Sequence, residues 1–293
     1  MVDALEACIR EYVVAQMPAD PSGELGQMSL SDLLITYATW FRRTLPARPR
    51  NAHVSAELQA NLRLSHHQMA FGALVKAIED GADLTPHLSR AVGVALVPTA
   101  QQAEKHRRKD RDLLIADWGI HHLHLSTTVE SDGFATRTSD LLFAFFTPDD
   151  AYLINIYPHG SWALKQMLEI CVRNWPDSRV LTKIHGVLGL DQEYSDEDRL
   201  QLRNAGVASL VVVDGSVYMT SGQTTAGTPL DATIRANAVL WKLRELREHE
   251  DLLALINSAA GANAGADQWQ PEVCQGVYGF SRKGVLVGFG SLE

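Results

Sequence analysis

The sequence predicts an α+β protein with a helical N-terminal region, a central antiparallel sheet with flanking helices, and a further α/β segment at the C-terminal end. Apolar residues recur at helical spacing in the first part of the chain, and short apolar runs separated by turn residues dominate the middle. Helix-start and hairpin signals then alternate toward the end. These patterns predict three consecutive regions, a helical region at 1–110, an α+β domain at 111–190 and an α/β segment at 191–293.

Two helices are predicted in the first region. Ser29 lies three residues before Asp32, the spacing of a capping box, and apolar residues follow at helical spacing until Pro46. A second helix is predicted to start at Ser65. It should end at Gly81, since glycine favours the left-handed conformation that closes many helices.

Three short apolar runs in the middle region predict strands, at residues 120–125, 141–146 and 151–157. Their connections are short and rich in turn residues, which favours an antiparallel meander. A helix is predicted at 161–174, with Trp162 as its packing anchor. Together these elements predict a sheet covered by a helix.

The last region begins with Ser195 and Asp198, again at capping-box spacing. Asp214 and Gly215 predict a tight hairpin turn after an apolar strand at 207–213. Thr228, followed by proline and an acidic residue, predicts the start of a long helix. The final 20 residues are expected to form a hairpin.

Composition excludes several classes of protein. The chain has 293 residues, is 46% hydrophobic and 21% charged, and carries a formal net charge of -9, so it is globular and not a binder of nucleic acid through bulk positive charge. Three scattered cysteines exclude a disulfide framework. Neither a secretory signal nor a membrane-spanning apolar run is apparent, so we expect a cytoplasmic protein that does not enter a membrane.

The most informative polar stretch is the first predicted strand of the meander. Because side chains alternate along a strand, His122 and His124 share one face and His121 points to the other. Arg137 precedes the second strand and His159 follows the third. In a meander, these two side chains are expected to converge on the face that bears His122 and His124.

Two imidazoles beside an arginine suit phosphodiester cleavage without a metal or cofactor. Imidazole exchanges protons near neutral pH, so one histidine can take the proton of a ribose 2′-hydroxyl while another protonates the leaving 5′-oxygen. Arginine offers a planar fork to the charged phosphorane. The candidate catalytic residues are therefore His122, His124, Arg137 and His159.

The stretches GIHHLHL, RTSDLLFA and AYLINIYPHG, which fall within residues 117–165, resemble the sheet of RelE/HigB-type toxins. The resemblance implies a compact antiparallel sheet with flanking helices that cleaves RNA, commonly mRNA on the ribosome. It also implies that Arg137 clamps the phosphate and that His159 is an acid or base at the corner. A toxin of this kind would have RNA and a protein antitoxin as partners.

Two alternative functions remain open. His122 and His124 with Glu130, followed by Pro158-x-Gly160, are similar to the two motifs of cupins, which would imply a Zn²⁺, Fe²⁺ or Mn²⁺ site. The other alternative is a non-catalytic interaction protein of a bacterial defence or toxin–antitoxin system, in which the histidines are structural.

Two basic segments are candidates for a local RNA-binding strip in this acidic chain. The candidate residues are Arg48 and Arg50 in the first segment and Arg107 and Arg108 in the second.

Overall fold

A computed structural model describes residues 1–93, 112–178 and 180–293. It divides the chain into two compact units: Met1–Phe41 with Asp231–Glu293, and Arg42–Gly93 with residues 112–230. The division differs from the three consecutive regions predicted from the sequence, because the two ends of the chain share one hydrophobic core. The predicted α+β class, with its helical N-terminal region and C-terminal strands, is confirmed.

The helices of the described residues are α1 Val2–Gln16, α2 Glu24–Gln27, α3 Leu30–Phe41, α4 Ala56–Gln59, α5 Leu62–His66, α6 Gln68–Asp80, α7 Leu113–Trp118, α8 Lys165–Asn174, α9 Asp196–Asn204, α10 Leu230–Glu248 and α11 Leu252–Ala260. The strands are β1 Asn51–Val54, β2 Ile120–His124, β3 Asp140–Phe146, β4 Asp150–Pro158, β5 Thr182–Lys183, β6 Val211–Val213, β7 Ser216–Met219, β8 Gln270–Cys274, β9 Val277–Arg282 and β10 Val285–Ser291. None of these helices combines the length and the apolar character that crossing a membrane requires.

The unit built from the chain ends contains α1 to α3, α10, α11 and an antiparallel sheet in the order β10-β9-β8. The predicted start of α3 is confirmed, since the backbone N–H of Asp32 donates to the Ser29 hydroxyl at 3.0 Å. The predicted terminal hairpin corresponds to two strands of a three-stranded antiparallel meander, β8 to β10. The inner face of this meander packs Tyr278 and Phe280 into the core of this unit.

The other unit is organised around a four-stranded sheet in the order β1-β4-β3-β2. The predicted meander of β2, β3 and β4 is confirmed, with His122 opposite Phe143 and His124 opposite Leu141. Strand β1 runs parallel to β4 and was not predicted, because its sequence, Asn-Ala-His-Val, has too few apolar residues to signal a strand. The sheet is therefore mixed.

Each face of this sheet is covered by a separate hydrophobic core. One face, with Leu123 and Leu142, packs against Leu74 and Ile78 of α6. The opposite face packs against α7, α8 and the small antiparallel sheet β5-β7-β6. The candidate residues His122 and His124 point to this second face.

Several local predictions for this unit can be compared with the structure. Gly81 closes α6 in the left-handed region at φ 73°, as predicted, but α6 begins at Gln68 without a side-chain cap, and Ser65 instead bonds back to the Leu62 carbonyl. The capping box of Ser195 and α9 is confirmed. The hairpin turn at 214–215 between β6 and β7 is also confirmed.

Candidate functional site

His124 lies at the end of β2 and is held in one orientation by the loop that leads into β3. Its Nδ1 atom accepts a hydrogen bond from the backbone N–H of Thr138 at 3.3 Å. Burial is the largest cause that lowers the pKa of His124 from 6.5 to about 4, with smaller electrostatic contributions from His122, Arg137, His159 and Arg90. His124 is therefore neutral near pH 7, with its proton on Nε2, and acts as a hydrogen-bond donor.

This geometry corrects one sequence-based expectation. His122 and His124 were predicted to share acid–base chemistry, but a neutral imidazole whose Nδ1 already accepts a hydrogen bond has no free lone pair with which to take a proton. The loop partner that imposes this tautomer, Thr138, carries no signal in the sequence. His124 is suited to holding an oxygen atom.

His122 faces a carboxylate. Its Nδ1 atom lies 3.3 Å from Oδ2 of Asp112, and both side chains are largely buried. The other carboxylate oxygen of Asp112 caps α7 by accepting from the backbone N–H of Ile115 at 3.2 Å. The carboxylate lies beside Nδ1 without meeting the geometry of a hydrogen bond to it, so the pair is an electrostatic contact that leaves the tautomer of His122 unassigned. Sequence reasoning missed Asp112.

Arg137 and His159 are exposed and lie on neighbouring segments of chain. The backbone N–H of His159 donates to the carbonyl of Ser139 at 2.7 Å, which continues the pairing of β3 and β4 past the end of the sheet. The segments of Arg137 and His159 therefore lie at the end of the sheet where His124 ends β2, so that the four candidate catalytic residues come from three chain segments that meet at this end.

Trp162 joins this group from the turn before α8. Its ring centroid lies 5.0 Å from that of His122 and 4.9 Å from that of His159, with edge-to-face geometry in both pairs. It also contacts Phe143, at 6.0 Å. Trp162 packs against two candidate catalytic side chains as well as the core, so its predicted role as the anchor of a helix is incomplete.

The candidate RNA-binding arginines lie apart from this group or outside the described residues. Arg48 pairs with Asp149 at 2.8 Å on the surface. Arg50 is buried and donates to the backbone carbonyls of Thr147 and Arg48, so its guanidinium stabilises the protein's own turns and is not presented to RNA. Arg107 and Arg108 fall outside the described residues.

In the described part of the chain, Glu130 is not free to complete the metal site of the cupin-like alternative. Glu130 pairs with Arg90 at 2.6 Å. Across residues 1–93, 112–178 and 180–293, no three or more histidine, cysteine, aspartate or glutamate side chains are grouped so that they could hold a metal ion.

The fold and the site together define an α+β protein with a histidine–arginine cluster at one end of a mixed sheet. The chain matches no protein-family model, no curated protein and no solved structure. The similarity to RelE/HigB-type toxins therefore stays a hypothesis that depends on the residues of this chain.

The burial of His121, on the opposite face of β2, predicts that the protein loses stability in acid. Its Nε2 atom lies 3.1 Å from the carbonyl oxygen of Arg42, and burial lowers its pKa from 6.5 to about 4. Because the pKa of His121 is lower in the folded than in the unfolded state, the unfolded state binds a proton first as the pH falls. The contribution of His121 to the free energy of unfolding is therefore fully present above pH 6.5 and is lost as the pH falls toward 4. At pH 5 the loss from this one residue is about 2 kcal/mol.

The prediction is tested by urea unfolding at pH 7.5 and pH 5 of the wild type and of His121→Gln, whose amide can still donate to the Arg42 carbonyl. We expect the free energy of unfolding to fall less between the two pH values in the variant. Some loss will remain, because the pKa of His124 is also lowered. Equal losses in the two proteins would exclude His121 as a source of the acid sensitivity.

Proposed function

We propose that the protein is a metal-independent endoribonuclease similar in mechanism to RelE/HigB-type toxins. The observation that supports this most strongly is that the Trp162 ring contacts both His122 and His159, at 5.0 Å and 4.9 Å between centroids, with His124 two residues beyond His122 on the same strand. A cluster of cationic and neutral hydrogen-bond donors in a chain of net charge -9 is a local site for a phosphodiester. RNA as substrate also fits the cytoplasmic location predicted from the sequence.

The roles of the four residues follow from their surroundings. His122, which lies beside the Asp112 carboxylate, takes the proton of a ribose 2′-hydroxyl, and the 2′-oxygen then forms a bond to phosphorus. His159, in its charged form, gives its proton to the leaving 5′-oxygen as the P–O5′ bond breaks. The Nε2–H of His124 and the guanidinium of Arg137 donate to the non-bridging oxygens of the phosphorane.

The proposal predicts the chemistry of the products. A single-stranded RNA oligonucleotide incubated with the wild-type protein in excess EDTA should be cut to a 2′,3′-cyclic phosphate and a 5′-hydroxyl, because the attacking group is the neighbouring 2′-oxygen. Mass spectrometry of the fragments identifies both ends. A 2′-deoxy oligonucleotide of the same sequence serves as the matched control and should stay intact.

Two results would refute the proposal. Absence of cleavage in EDTA together with cleavage after addition of a divalent metal would favour the metal-dependent alternative. Absence of cleavage under both conditions would favour the non-catalytic interaction protein, whose partner would then be an antitoxin or another protein of a defence system.

A further inference from the structure

The buried side chains of α9 are unusual for a helix that covers a core. They are two arginines, Arg199 and Arg203. Arg203 is 2% exposed and pairs through Nε with Oδ2 of Asp117 at 2.9 Å. Burial of a charged pair is seldom justified by stability alone, because apolar side chains of similar volume often stabilise a protein as well or better. The pair therefore calls for a role besides packing.

Neighbouring groups hold both the guanidinium and the backbone of Arg203. It lies over the ring of Trp118, 4.1 Å from the centroid, and the backbone carbonyl of Arg203 accepts from the side chain of Gln223 at 2.7 Å. Arg203 binds Oδ2 of Asp117, whereas the hydroxyl of Thr220 donates to the other oxygen, Oδ1, at 3.2 Å. Arg203 is thus held in one position and can in turn hold another group.

The group that Arg203 holds is the backbone of Trp162. Nη1 of Arg203 donates a hydrogen bond to the Trp162 carbonyl. Trp162 lies between β4 and α8, outside any helix or strand, where its N–H donates to the Gly160 carbonyl at 2.8 Å and its carbonyl accepts from Arg203. Its ring contacts both His122 and His159. A continuous set of contacts therefore runs from the buried pair to both imidazoles.

We propose that Arg203, locked by Asp117, is a positioning residue that sets the place of the Trp162 ring and through it the orientation of His122 and His159. The inference about catalysis rests on the proposed nuclease function, whereas the inference about imidazole orientation does not. Arg203 touches neither imidazole and has no part in proton transfer. The planar guanidinium of Arg203 is required because it donates to the Asp117 carboxylate and to the Trp162 carbonyl at the same time.

The test compares Arg203→Lys with the wild type. Lysine keeps a positive charge for Asp117 but lacks the fork that also reaches the Trp162 carbonyl. We expect the imidazole proton and carbon resonances of His122 and His159 to move in two-dimensional NMR spectra of the free protein, since both rings lie beside the indole. With RNA in EDTA, kcat should fall about 100-fold with KM nearly unchanged, the effect of misplaced catalytic groups.

Thr220→Val is the matched control. It removes the other hydrogen bond to Asp117 at an equally buried position but leaves the bond from Arg203 to Trp162 in place. We expect this variant to lose stability while keeping the wild-type imidazole resonances and kcat. Equal changes in both variants would mean that general loosening of the core, and not positioning, is responsible.

A second variant covers the case in which Arg203→Lys does not fold. Replacing Asp117→Asn and Arg203→Gln together removes both buried charges, so that neither is left uncompensated. It should move the same resonances. Unmoved resonances in a folded variant would overturn the positioning role even if the wild type cleaves RNA. Moved resonances in a protein without nuclease activity would support positioning and refute the proposed function alone.

Discussion

Replacing His159 with alanine is expected to lower the rate of RNA cleavage by about 10²–10⁴-fold, the usual contribution of a general acid. His159 is exposed, and its backbone hydrogen bond to Ser139 does not depend on the side chain. The fold should therefore survive the change. Single-turnover rates in EDTA measure the effect, and thermal unfolding of the same samples checks that the stability is unchanged.

His185→Ala is the matched control for this prediction. His185 is an exposed histidine of the same unit, just beyond the end of β5. We expect it to cleave RNA at the wild-type rate. If the two alanine variants cleave equally fast, His159 is not the acid.

Replacing Arg137 with alanine is expected to lower the cleavage rate by about 10²–10³-fold, as removal of one donor to a transition-state oxyanion does. Arg137→Lys should be nearly as slow, because an ammonium group cannot reproduce the bidentate fork. Arg137 is exposed, so neither change should shift the free energy of unfolding by more than about 0.5 kcal/mol. Rates at saturating RNA measure the effect on kcat.

Arg173→Ala is the matched control for the arginine. Arg173 is half-exposed at the end of α8 and pairs with Asp214 at 2.9 Å. Removing it changes the net charge of the protein by the same amount as Arg137→Ala. Equal losses of rate in the two alanine variants would mean that Arg137 contributes only through general electrostatic attraction of RNA.

The sequence could predict which site residues share a face of the sheet, because side chains alternate between the two faces along a strand. Apolar runs and short turns define β2, β3 and β4, and a period of two residues assigns His122 and His124 to one face. The meander then brings the segment of Arg137 beside that of His159, because Ser139 follows Arg137 and pairs with His159 across the strands.

The tautomer of His124 and the supporting residues could not be predicted in this way. The N–H that binds His124 belongs to a loop residue, Thr138, and the carboxylate beside His122 belongs to Asp112, which reads in the sequence only as one more charged residue. Arg203 lies 41 residues from Trp162 along the chain, so no local pattern links them. Such contacts are created by tertiary packing.

The division of the chain into units was beyond the sequence for a similar reason. Leu5 and Ile9 of α1 have the spacing of a helix that packs on a core, but nothing in that spacing indicates that the core is completed by Leu243 and Phe280. The parallel pairing of β1 with β4 likewise joins segments about a hundred residues apart.

The central claim is that side chains from three segments act on one phosphodiester as a single site. The most direct test is a double-mutant cycle on the cleavage rate with His159→Ala, Arg137→Ala and the double variant. Residues that serve one transition state are expected to be strongly non-additive, so the double variant should be little slower than the slower single variant. Losses that simply multiply would contradict the account, because they would mean that His159 and Arg137 act independently.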